Sequence, residues 1–180
     1  MNCDGITIPP LHSEYEYKLI PDELSYRRCD QFAAATGAVI REHSFELHDN
    51  NGEYDPEKDE IRIRERAQWA SRMEGYYNTL CHELVHWTGP RLGRNMDGEK
   101  GSTEHAMEEF IAEYGSKRLT EHFGLYAPRP WVNESIQEYW ALFPDKVAAF
   151  GMVEREVGRA IAFLFDVGLS PPKRCDSSGS

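Results

Sequence analysis

The sequence predicts an α+β fold: a small, mainly antiparallel sheet packed on two central helices, with further helices toward the C-terminus. Three observations carry this. Short runs rich in β-branched and aromatic residues, divided by polar turns, are confined to residues 38–63. Two segments with apolar residues at helical spacing follow, at 76–88 and 103–114. A last helix-period region covers 133–166. With 180 residues and 40% hydrophobic content, the chain can bury a core without disulfides.

Residues 1–20, rich in Pro, Tyr and charge, read as an extended lead-in; 21–169 read as one domain without internal repeats; 170–180, closing on Asp176-Ser177-Ser178-Gly179-Ser180, read as a disordered tail. A helix is expected from Pro21, because Pro suits a first-turn position, Leu24, Cys29, Phe32 and Ala33 lie near one face, and Gly37 ends it. Strands are expected at Ala38–Arg41 and Phe45–Leu47 around a polar turn, then at Glu53-Tyr54 and Asp59–Ile63 after Asn50-Asn51-Gly52. Alternate side chains of a strand share a face, so Arg62, Arg64 and Arg66 read as cationic guards on a solvated sheet edge.

In the next segment Tyr77, Leu80, Cys81, Leu84, Val85 and Thr88 form one apolar stripe, and Gly89-Pro90 is expected to end the helix at once. Off that stripe lie His82-Glu83-Leu84-Val85-His86. Residues four apart stand above one another on a helix, so His82 and His86 can offer ring nitrogens to one tetrahedral Zn²⁺. Glu83 sits beside them, where a base acting on a metal-activated water must be. With only 7 His in the chain, chance supplies H-E-x-x-H about 0.03 times. His12, His43, His48 and His122 have no ligand spacing to another histidine.

Two histidines leave a catalytic zinc one protein ligand short, with a further position for water. The candidate is on the next helix, which Ser102 or Thr103 caps and which buries Met107, Phe110, Ile111 and Tyr114. His105, Glu109 and Glu113 form a second stripe there at i, i+4 and i+8. Glu109 is chosen as third ligand and Glu113 as the acceptor that holds a ligating imidazole through its other N–H. Glu108 and Glu113 remain alternative ligands. His105 is either a ligand or a donor to a developing oxyanion, a task open also to Tyr114 or to an Arg of residues 91–94. Farther on, a Pro-rich turn at 126–131 precedes expected helices at 133–142 and 144–166, whose apolar residues, Ile136, Tyr139, Trp140, Val147, Phe150, Val153, Val157, Ile161, Leu164 and Phe165, read as core.

Four stretches together resemble a known family: Tyr54 through Ile63, Tyr76-Tyr77-Asn78-Thr79-Leu80-Cys81-His82-Glu83-Leu84-Val85-His86-Trp87-Thr88-Gly89, Arg91-Leu92-Gly93-Arg94, and Glu108-Glu109-Phe110-Ile111-Ala112-Glu113. They are similar to the zincin-like metallopeptidase domain of polyvalent proteins, which also closes the ArdC-type antirestriction proteins of plasmids and phages. The resemblance implies a zincin-like, gluzincin-like fold in which His82, His86 and a Glu of the second helix bind zinc and Glu83 is the base. It implies peptide-bond hydrolysis, and an edge strand lining the cleft, for which Ile61–Arg64 is the candidate by position. Two departures are visible: the loop after Gly89 is shorter than the family pattern, and His105 stands where relatives show Tyr. The single-stranded-DNA-binding domain of ArdC-type proteins is expected to have no counterpart here.

Composition bounds the partners. The formal net charge is −11, with 31 acidic against 20 basic residues, so direct nucleic-acid binding is disfavoured and a protein or peptide substrate is expected. No apolar run suits a signal peptide or a membrane span, which predicts a cytoplasmic protein, one that a mobile element could deliver into a host cell. Cys3, Cys29, Cys81 and Cys175 lack the spacing of a zinc ribbon or redox motif, and Cys81 reads as packing. Two readings compete with hydrolysis. One is a non-proteolytic zinc-fold protein acting as an antirestriction or host-takeover factor; the other is an acidic mimic of DNA. Oligomeric state is not legible.

Overall fold

The computed structural model describes residues 23–44, 51–69, 72–125 and 137–169. The expected lead-in, the Pro21 turn, the strand at Phe45–Leu47, the start of the helix at 133, the tail, Cys3, Cys175, His12 and His48 lie outside the described residues.

Helix α1 (Glu23–Thr36) buries Cys29, Phe32, Ala33 and Thr36, while Leu24 is exposed. Gly37, at φ 78°, ends it in the left-handed conformation that glycine adopts without strain. Strands β1 (Val39–His43), β2 (Gly52–Asp55) and β3 (Glu60–Arg64) form one sheet in the order β1-β3-β2. The sheet is mixed rather than mainly antiparallel. β2 and β3 form an antiparallel hairpin pairing Tyr54 with Ile61, while β1 runs parallel to β3 and pairs Ile40 with Ile61.

β3 is therefore the central strand, not the expected cleft edge. Its alternation explains the placement: Ile61 and Ile63 are fully buried, and a strand with that much apolar surface gains most from neighbours on both sides. The basic residues are correspondingly not guards on an edge. Arg62 pairs with Glu53 of β2, and Arg66 opens a 3₁₀ turn (Arg66–Trp69) with its guanidinium directed into the molecule.

Helix α2 (Met73–Arg91) is buried on nearly every side from Tyr76 to Gly89, not on one stripe. The sheet, the 3₁₀ turn and the other helices pack around it. It also passes through Gly89-Pro90, contrary to expectation. Pro90 stands in the last turn, and the stop comes at Gly93, φ 72°, where Gly93 N–H bonds the Pro90 carbonyl and Arg94 N–H the Gly89 carbonyl at 2.9 Å, the paired bonds of a Schellman cap. Gly89 serves close packing instead: a Cβ there would collide with the Met96 sulfur.

Helix α3 (Thr103–Phe123) starts where the Ser102 hydroxyl accepts from His105 N–H at 3.1 Å and ends at Gly124, φ 70°. It crosses α2 at Gly115, where a Cβ would stand 2.7 Å from a methyl of Val85. Residues 137–141 are helical and bring Trp140 edge-on to Phe110. Helix α4 (Lys146–Leu169) closes the core with Val153, Val157, Ala160 and Leu164, leaving Val147 exposed rather than in the core.

Candidate metal centre

The crossing of α2 and α3 sets one turn of each helix face to face. From α2 come His82 and His86, one turn apart, with Nε2 atoms 3.0 Å from each other. From α3 comes Glu109, whose two carboxylate oxygens lie 3.6 Å from His82 Nε2 and 3.6 Å from His86 Nε2. These three residues alone among the described ones form a cluster able to hold a metal ion.

Each ring is held from behind. His86 Nδ1 lies 3.0 Å from Glu108 Oε1, and His82 Nδ1 lies 3.1 Å from Glu113 Oε1. An ionised carboxylate only accepts, so His86 Nδ1 carries the hydrogen toward Glu108 and its Nε2 presents a lone pair toward His82; Glu113 stands beside His82 Nδ1 as a charge, without a hydrogen bond to it. Two ring nitrogens at 3.0 Å need positive charge between them, a shared proton or a metal ion. Nitrogen and oxygen donors on one tetrahedral Zn²⁺ with bonds near 2.0–2.1 Å sit about 3.3 Å apart. The observed 3.0 and 3.6 Å separations bracket that span, so the donor set fits a divalent ion.

The surrounding carboxylates set the charge of the cluster. Burial opposes charging the His82 ring, but the carboxylates of Glu113, Glu109 and Glu83 outweigh it and raise the ring well above its ordinary pKa. Burial likewise resists ionisation of Glu109, yet the hydrogen bond to His82 and the nearby His82, His86 and His105 bring its carboxyl down to about 2. Glu108 is desolvated too, and its hydrogen bonds from His86 and Arg94 hold it below its usual value.

In front of the cluster opens a cavity of about 440 Å³. Glu83, 5% exposed, lines it beside the histidines. The opposite walls are β2 (Gly52, Glu53, Tyr54), the loop after α2 (Asn95, Met96, Gly98, Lys100), and His105 with Tyr139. Among the described residues β2 pairs only with β3, so its outer edge, rather than Ile61–Arg64, is the strand edge at this cavity. Gly52 permits the approach: a Cβ there would stand 2.6 Å from Thr79 Cγ2 and 3.3 Å from Glu83 Cγ.

The structure thus brings together His82, Glu83, His86, Glu109, Glu113, Glu108 and His105. It does not bring Tyr114. That ring packs between Phe110 and Phe150, and burial pushes its phenol to about 12. Nor is either arginine of 91–94 at the cavity: Arg91 pairs with Asp59 at 2.6 Å and stacks on Trp87, while Arg94 is engaged with Glu108. Tyr139 was read as core and is the wall residue that sequence reasoning missed. It stands edge-on to His105 with ring centroids 5.7 Å apart. Cys81 packs as expected, its sulfur 4.0 Å from that of Cys29, both buried.

Comparison with known proteins gives the site its family. A profile of zincin-like metallopeptidases matches residues 27–142. The antirestriction protein ArdC of plasmid R388, in its Mn(II)-bound structure, superposes with a TM-score of 0.66 at 33% identity, over 79% of this chain and 52% of ArdC. Its metal-free structure superposes with a TM-score of 0.62. Among curated relatives, a DNA primase TraC of Escherichia coli is 38% identical over 54% of this chain, and an uncharacterized protein y4eC of Sinorhizobium fredii is 32% identical over 69%. The chain spans only 9% of that primase and 38% of y4eC. On the strength of a match across most of its length, this chain belongs to the zincin-like metallopeptidase family.

Proposed function

We infer that this protein is a zinc-dependent peptidase, of the kind carried by mobile elements, that acts on a protein target. The observation that supports the reading best is the convergence of His82 Nε2, His86 Nε2 and the Glu109 carboxylate at the floor of an open cavity, with Glu83 in its wall. His82, His86 and Glu109 would hold the ion, and two imidazoles with one carboxylate are the donor set of zinc hydrolases. When bound, the ion supplies Lewis acidity, which acidifies a water and polarises a carbonyl.

The rest falls to the chain's own side chains. Glu83 takes a proton from the attacking water and delivers it to the departing amine. The outer edge of β2, which no other described strand covers, offers backbone groups to an extended peptide, which fixes the scissile bond above the cluster. His105 and Tyr139, on the far wall, are placed to donate hydrogen bonds to an oxyanion. Tyr139 can do so because burial and the Glu109 charge raise its phenol pKa and keep its proton on.

Glu83→Gln is expected to keep one equivalent of metal while cleavage of a true substrate falls about 10²–10⁴-fold. Equal cleavage by wild type and variant would remove Glu83 from the chemistry. The similarity to a plasmid antirestriction protein favours a second reading, in which the same fold works by binding alone. Capture of a host protein intact by wild type and by Glu83→Gln favours binding; capture intact only by the variant, with fragments from wild type, favours hydrolysis.

A further inference from the structure

The loop that follows α2 contains the most heavily engaged side chain near the metal cluster, and the hydrolytic reading gives it no task. The Arg94 side chain is 5% exposed. Its Nε donates to Glu108 Oε2 at 2.9 Å and its Nη2 to Glu108 Oε1 at 2.9 Å, a fork on both oxygens of one carboxylate. Its Nη1 donates to the Thr88 hydroxyl at 2.9 Å and Nη2 also to the Val85 carbonyl at 2.7 Å, so the guanidinium is itself fixed to the last turns of α2. Glu108 Oε1, held this way, accepts from His86 Nδ1 at 3.0 Å.

We propose that Arg94 is a positioning residue of the metal centre: acting through Glu108, it holds His86 as the Nδ1–H tautomer, with Nε2 aimed at His82 and Glu109. The proposal rests on the reading of this cluster as a divalent-metal site. Its physical basis is geometric. A lone buried carboxylate can rotate about its terminal torsion, and each rotation moves the acceptor off the imidazole N–H. A planar guanidinium bonded to both oxygens removes that freedom, which a lysine ammonium, a point donor, cannot do. Outer carboxylates on ligating histidines typically carry 10–100-fold in metal affinity. Arg94 should govern that increment on the His86 side.

The test is metal binding by the whole chain, with Co²⁺ read by its visible absorption and Zn²⁺ by competition with a chelator. Wild type, R94K, R94M, E108Q, the double variant R94K/E108Q and H82A are compared, with circular dichroism to verify folding. Wild type should bind one equivalent and H82A none. R94K and R94M should bind about 10–100-fold more weakly with an altered Co²⁺ spectrum. R94K should add little to the loss already caused by E108Q, as expected of residues acting in one chain. Should R94M fail to fold, R94K and E108Q still carry the comparison; should R94K fail, R94M and E108Q carry it by affinity and spectrum. Arginine variants that lose only thermal stability, keeping wild-type affinity and spectrum, would overturn the role of Arg94 and leave the metal site standing. Full additivity with E108Q would overturn it as well. Absence of binding by wild type would overturn the metal reading and this inference together.

Discussion

Helix α2 carries two polar clusters two turns apart, one half-exposed and one buried, and they are built on opposite principles. At its start, Arg66 reaches in over the faces of Tyr76 and Tyr77, 4.5 and 5.5 Å from the ring centroids. It donates to both oxygens of Asp30 at 2.9 and 2.6 Å, to Glu42 and to both tyrosine hydroxyls, while Tyr76 donates to Glu42 and Tyr77 to Asp30. One guanidinium serves two carboxylates, and the two phenols bridge to them, so the named groups find their partners within the cluster. At His82 and His86 the reverse holds: carboxylates stand 3.1 and 3.0 Å from the outer ring nitrogens, and the inner nitrogens converge with the Glu109 carboxylate. A polar cluster that closes on itself is a fastening. One whose donor atoms converge on a single point is built to hold a cation, and the difference is visible without knowing the ligand.

The largest expected effect separates the two directly. A ligand that binds only the folded state stabilises it by about 4 kcal/mol at a thousand times its Kd. Zn²⁺ added to protein stripped by a chelator should raise unfolding free energy by that order. The increment should vanish in His82→Ala and survive in Arg66→Met. Denaturant unfolding of the three proteins with and without metal measures it, and a His82→Ala protein that gains as much as wild type would erase the distinction.

The converse is smaller and falls on the other cluster. Arg66→Met removes charged hydrogen bonds from Asp30, Glu42 and two phenols, groups that are partly wet, so a loss of about 2 kcal/mol is expected after solvent screening. Metal affinity should stay within about twofold, since the closed cluster has no part in holding the ion. A substantial loss of affinity in folded Arg66→Met would show the two ends of α2 to be coupled.

Why one cluster was legible and the other was not follows from how local each is. His82, Glu83 and His86 lie within five residues, and helix geometry alone orients them. Glu109 and Glu113 followed from the period of the next helix. Neighbours on a helix point about 100° apart, so choosing between Glu108 and Glu109 required the crossing of α2 and α3, which no single-helix pattern contains. Arg94, Tyr139 and Arg66 reach their places through a loop, a distant helix and a 3₁₀ turn, and their spacing in the chain carries no trace of it. Two signals were available and misjudged. Gly93, three residues past Pro90, marks the true end of α2, and the strict Ile61/Ile63 alternation marks β3 as central. Gly89 looked like a cap and is a contact point for Met96, a distinction that only the folded chain makes.

Gly115 is where the comparison can be sharpened most finely. It sits two residues beyond Glu113 on α3, and Val85, its contact, adjoins His86 on α2, so the gap it leaves sets how closely the ligand-bearing turns approach. In Gly115→Ala the new methyl meets both Val85 methyls, at 2.7 and 3.0 Å, on a β-branched side chain with little freedom to turn away. The helices must part by a few tenths of an ångström. Overpacking of this size costs about 1 to 2 kcal/mol. Because the added strain is at the crossing, it should fall unequally on the two clusters: metal affinity should drop several-fold, while the near-ultraviolet dichroism of the Tyr26, Tyr76 and Tyr77 stack at the other end of α2 stays unchanged. Lost stability with metal affinity intact would mean that the centre tolerates movement of its helices, and that the reach of Glu109, rather than the closeness of α2 to α3, sets the geometry.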